Sequence, residues 1–153
     1  KKQFVIQSTD NPKADQEYKK ARYLMNIQKK KEDLEKADVH LKKAIKYDPK
    51  FLYAHSQRGV IAFKLGDHEK SEEILNNALE IAKQDGSSIS DGYVYSILGY
   101  LYLSWSKNNH ALKYNKLALQ VYSHLDRPLT EASIMHNLGI PLLKFLKDSF
   151  YIH

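Results

Sequence analysis

The chain has 153 residues, 42% of them hydrophobic, with a formal net charge of +6 and no cysteine. That is enough for one domain with a continuous core and too little for two. The missing thiols exclude disulfides, thiolate catalysis and Cys-based zinc or iron–sulfur sites, which fits a reducing, cytoplasmic setting.

The chain opens Lys-Lys-Gln with no initiator methionine and no apolar leader, so a piece of a longer protein is expected, with residues 1–11 as an N-terminal extension. Apolar residues at helical spacing predict a first helix over 12–29 and a second over 32–47, ended by Asp48-Pro49. The whole charge excess lies here: residues 1–50 hold 14 Lys and Arg against 8 acids, whereas the remainder balances at 10 and 10. The run Lys29-Lys30-Lys31 has the chemistry to meet nucleic acid, anionic lipid or an acidic peptide. Glu32, Asp33, Glu35 and Asp38 follow at once, the mixed pattern of a solvated helix face, and no nucleic-acid binding is expected.

Further helices are predicted over 51–64, 67–84, 91–105, 108–124 and 129–140. Asp67 after Gly66 suits an N-cap following a helix stop. The longest uncharged stretch, residues 92–106, is short of the roughly 20 apolar residues a membrane helix needs, so no insertion is expected. Pro141 should end or kink the last helix, leaving only a short tail after it.

A period organises these helices. Gly59, Gly99 and Gly139 are spaced by 40 residues, with Ser71 and Ala111, then Ala78 and Ala118, at matching distances behind the first two. Stepping back 34 residues from Gly59 reaches Met25, and Ala37 and Ala44 fall at the same offsets. Small residues at these places allow the two helices of a hairpin to cross closely.

Chemistry-bearing patterns are sparse. None of the seven histidines, at 40, 55, 68, 110, 124, 136 and 153, forms a His-Glu-x-x-His pair, and no metal or cofactor is expected. His124-Leu125-Asp126 falls in a predicted turn, and Gly86-Ser87-Ser88 lacks the lysine and spacing of a phosphate loop. No enzymatic role is expected.

The set Gly59, Gly66-Asp67, Ser71, Ala78 and the closing Asp48-Pro49 resembles the tetratricopeptide repeat over nearly everything from Tyr18 to about Lys147. It departs from that pattern at the usual tryptophan position, which holds Ala21, His55, Tyr95 and Met135, and at Met25, which stands for glycine. Residues 85–90 and 123–128 supply a six-residue excess, as in long-repeat variants of signalling regulators. The resemblance implies an all-α, right-handed superhelical stack of antiparallel helix hairpins over 12–153. Its repeats would fall at about 18–51, 52–91, 92–131 and an incomplete 132–153. The open apolar face of the last repeat would need a cap, a continuation or a homodimer contact.

In such a stack the first helix of each repeat lines the inner groove. The implied peptide-binding positions are Arg22, Tyr23 and Asn26 in the first unit, Tyr53, Gln57 and Phe63 in the second, Tyr93 and Tyr100 in the third, and His136 in the fourth. This groove would be basic at one end and aromatic in the middle, suited to a peptide or helix with a carboxylate near Arg22. Arg22 and Asn26 resemble the first pair of the carboxylate clamp of some co-chaperones, but Gln57, Tyr93 and Ile97 depart from it, so no chaperone-tail clamp is implied. The opening segment, from Asn11-Pro12 through Ala44-Ile45-Lys46-Tyr47-Asp48-Pro49, is similar to the entry into tetratricopeptide regions of bacterial nucleotide cyclases and transcription regulators. That implies a protein-binding scaffold in signal transduction, with a dimerisation platform or a peptide-pheromone sensor as alternatives.

Overall fold

A single side chain starts the first helix. Asn11 Oδ1 accepts hydrogen bonds from the backbone N–H groups of Lys13 at 3.0 Å and Ala14 at 3.1 Å. Pro12, which has no N–H to satisfy, occupies the first helical position, and α1 runs Pro12–Ile27. The computed structural model describes residues 9–27 and 30–124, and among these the chain is all-α. The remaining helices are α2 Lys31–Tyr47, α3 Leu52–Lys64, α4 His68–Asp85, α5 Ser88–Ser104 and α6 Asn108–His124. The predicted seventh helix, Pro141 and the incomplete fourth repeat lie outside the described residues.

The chain divides within α4 into two compact units, Lys1–Ile81 and Ala82–His153. In the first, α1 and α2 form an antiparallel hairpin and α3 packs against α2. Ala14, Ala21 and Met25 of α1 meet Leu34, Ala37, Leu41 and Ala44 of α2, and the core continues into Phe51, Ala54 and Ile61. Burying each large member stabilises by about 1.5–3 kcal/mol relative to exposure, and the alanines let the backbones approach closely enough for that burial. Across the hairpin, His40 Nδ1–H donates to Glu17 Oε2 at 2.6 Å. This bond holds the Glu17 carboxyl below the usual range, with partial burial opposing it and Lys20 assisting.

Gly59 and Gly99, the two described glycines of the 40-residue period, mark close helix contacts. A Cβ on Gly59 would sit 2.6 Å from Leu75 Cγ, and one on Gly99 would sit 2.0 Å from Asn115 Oδ1. Leu75 and Asn115 are themselves 40 residues apart, so α4 and α6 present the same position to the glycines of α3 and α5. Ser71, expected only to be small, also donates its hydroxyl to the Gly59 carbonyl at 2.7 Å.

The turns repeat as faithfully. Gly66 N–H donates to Phe63 O and Asp67 N–H to Ala62 O, each at 2.9 Å, the double bond of a left-handed helix stop. Forty residues on, Ser106 N–H reaches Leu103 O and Lys107 N–H reaches Tyr102 O. Gly66 has φ +89° there, but the matching position is taken by a serine with φ +62°. A side chain in that region costs about 1 kcal/mol against glycine. Ser106→Gly is therefore expected to raise stability by about 0.5–1 kcal/mol, and Gly66→Ser to lower it by a similar amount, as read from urea midpoints; opposite shifts would refute the strain argument.

One difference from the predicted elements is informative. The excess segment 85–90 was expected to link helices, yet α4 extends to Asp85 and α5 begins at Ser88. Gly86, with φ +72°, and the extended Ser87 make the whole break. Ser90 Oγ–H donates to Asp85 Oδ2 at 2.9 Å across it, so the added residues mostly lengthen helices.

Candidate functional site

Tyr18, Arg22 and Asn26 recur every four residues on α1 and so share one face. On α3, Tyr53 and Gln57 have the same spacing. The two faces meet: Arg22 Nη1 donates to Gln57 Oε1 at 3.2 Å, and the Tyr18 ring lies 6.1 Å from that of Tyr53 and 5.0 Å from that of Phe51. Burial pushes the Tyr18 hydroxyl above its ordinary pKa, and the Arg22 charge beside it works in the opposite sense. The phenol is thus held neutral, able to donate a hydrogen bond next to a fixed cation.

Arg22 is half-buried, and its hydrogen-bond partner is the neutral Gln57 amide. Among the described residues no carboxylate forms an ion pair with it. A guanidinium with several unused N–H donors, flanked by a neutral phenol, is an arrangement that receives an anion such as a carboxylate. Tyr18 was absent from the implied positions, although its spacing of four from Arg22 would have placed it there.

Other implied positions go elsewhere. Tyr23 is 66% exposed and, with Gln16, Lys20, Leu24 and His40, lines a shallow groove between α1 and α2 rather than joining Arg22. Asn26 is exposed, and Phe63 stacks on His68 with ring centroids 4.4 Å apart at the end of α3. In the second unit Tyr93 is only 7% exposed, and Tyr100 is half-buried. His136 lies outside the described residues.

Among the described residues of the second unit, several aromatic rings cluster at α5 and α6. Tyr102 stacks on Trp105 at 6.2 Å and on Tyr114 at 5.6 Å, Tyr95 lies 6.0 Å from Tyr114, and Lys107 Nζ sits 3.6 Å above the Trp105 ring. Asp91, in the first turn of α5, has its carboxyl pushed up by burial, with Lys83 opposing and Asp85 adding to the rise. Among the described residues no group of three His, Asp or Glu is placed to hold a metal ion, and no helix is long and apolar enough to cross a membrane.

Comparison with known families matches two tetratricopeptide repeat models to the chain, one over residues 26–51 and the other over 51–124. No curated protein matches it.

Proposed function

The chain belongs to the tetratricopeptide repeat family, whose repeats generally mediate protein–protein interactions, and from that premise we propose that it binds a peptide or helix along the α1–α3 face, with a carboxylate of the ligand on Arg22. The observation that carries this reading is the half-buried Arg22 guanidinium, hydrogen-bonded to the neutral Gln57. Tyr53 and the neutral Tyr18 phenol beside it supply an aromatic wall for an apolar side chain next to that carboxylate. The family is typically a non-catalytic interaction module, which accords with a scaffold role. The similarity of the opening segment to tetratricopeptide regions of bacterial signalling proteins supports a regulatory setting.

The test is selection of binders from a displayed random-peptide library, followed by affinity measurement with purified chain. Selected peptides are expected to carry an acidic residue next to an apolar one. Arg22→Ala should weaken them about 10- to 100-fold, the range of a hydrogen bond to a charged group. Binders that hold Arg22→Ala as tightly as the parent chain would remove the proposal.

A further inference from the structure

The C-terminal half of α2 turns a basic stripe outward. Lys36, Val39, Lys43, Lys46 and Tyr47 are all exposed, and Lys50 continues the line just past the helix end. Val39 is 50% and Tyr47 45% exposed, large values for an aliphatic and an aromatic side chain. Between Lys36 and Lys50 the chain has only two acids, and both have partners outside the four lysine ammonium groups, Asp48 also accepting from the Lys50 backbone N–H at 3.2 Å. Asp38 binds Arg58 at 2.8 Å and Lys42 at 3.5 Å, and Asp48 accepts from Thr9 Oγ1. None of Lys36, Lys43, Lys46 and Lys50 has an ion-pair partner among the described residues.

Such a stripe is costly if it does nothing. Like charges three and four residues apart on a helix, as Lys43 and Lys46 are, repel. The helix dipole accounts for Lys46 in the last turn, but not for Lys36 and Lys43 farther from that end. Residues 36–50 hold five lysines against two acids, whereas the start of α2 carries Glu32, Asp33 and Glu35.

We propose that this face of α2 is a docking surface for an acidic amphipathic helix of a protein partner. On the helix Lys36 and Lys43 are seven residues apart and Val39 and Lys46 are seven residues apart beside them, the register in which one helix lies along another. Val39 and Tyr47 offer apolar contacts between the lysines, which a helix bearing leucines among its carboxylates would cover and a phosphate backbone would not. Lysines, as point charges on flexible stems, pair with single carboxylates at that spacing. This surface is separate from the Arg22 face.

The experiment measures binding of a labelled synthetic helical peptide, with glutamates and leucines on one face at heptad spacing, to the chain by fluorescence anisotropy at low and at physiological salt. A shuffled peptide of the same composition, a DNA duplex and phosphatidylserine vesicles are run alongside. Lys43→Glu with Lys46→Glu is expected to lower peptide affinity at least about tenfold, the shuffled peptide to bind about tenfold more weakly, and Lys70→Ala, at an exposed lysine of α4, to change nothing. Melting curves establish that the reversed chain is folded; should it not be, Lys36→Ala with Lys43→Ala replaces it, with a loss of about threefold to tenfold expected. Equal binding of the shuffled peptide, or affinity untouched by the lysine changes, overturns the proposal. So does tighter, lysine-dependent binding of the duplex or the vesicles.

Discussion

Gly59→Val is expected to destabilise the chain by about 3 kcal/mol, seen as a lower urea midpoint with an unchanged slope. The new Cβ would lie 2.6 Å from Leu75 Cγ and 2.7 Å from its Cδ2, inside any normal contact distance. Leu75 is 1% exposed, so its displacement must be absorbed by the packed α3–α4 crossing. Valine also lacks the helix preference that would offset part of the clash in an alanine variant. Adding Leu75→Ala should recover stability relative to the sum of the single changes, since the new methyls then fill space that the truncated leucine leaves. A Gly59→Val midpoint within about 0.5 kcal/mol of the parent would mean that α3 and α4 do not meet there in solution.

The second large effect runs the other way. Asn115→Leu is expected to stabilise the chain by about 2 kcal/mol. Asn115 is 2% exposed, and its Oδ1 has no hydrogen-bond partner. An unsatisfied buried polar group costs about 1–3 kcal/mol, and an apolar replacement of like shape removes that cost. The fit is supplied by the protein itself, because Leu75 fills the same position against Gly59 one repeat earlier. The amide oxygen now faces the Cα–H of Gly99, a weak contact that recovers only part of what it lost on leaving water. A thermal or urea midpoint that falls on Asn115→Leu would show that the amide has a partner that outweighs burial.

These two sites also show what can be read from the chain and what cannot. Gly59 and Gly99 stood out because glycine is rare inside helices and the interval repeats. Ser71 and Ala78 followed as small residues at constant offsets. Leu75 did not stand out, because a leucine in an amphipathic helix looks the same whether it fills a notch or merely faces a core. Asn115 was hidden for the opposite reason, since polarity suggests solvent. Helix limits were legible to within a few residues where Pro49, Gly66 and Asp67 punctuate the chain. They were not legible at Ser88, where serines permit either a linker or a first turn.

The candidate site was legible in its chemistry more than in its membership. The offsets named Arg22, Tyr53 and Gln57, which the fold brings together, but they also named Tyr23, one residue and about 100° around the helix from Arg22. Tyr93 looked like an aromatic for a ligand, but nothing in its identity tells that it is only 7% exposed. Tyr18 was passed over because it was read as the start of a repeat, not as the next residue along the Arg22 face.

Asn11 also couples the motions of two helix ends. Besides capping α1, its Nδ2 donates to the carbonyl of Tyr47 at 3.1 Å, and Thr9 two residues earlier holds Asp48. Helix ends ordinarily fray independently, each losing its terminal turn for little free energy. Here the first turn of α1 cannot open without releasing the last turn of α2, so the two ends breathe together. The free ends of the hairpin are thus tied together, and their loosening is one event.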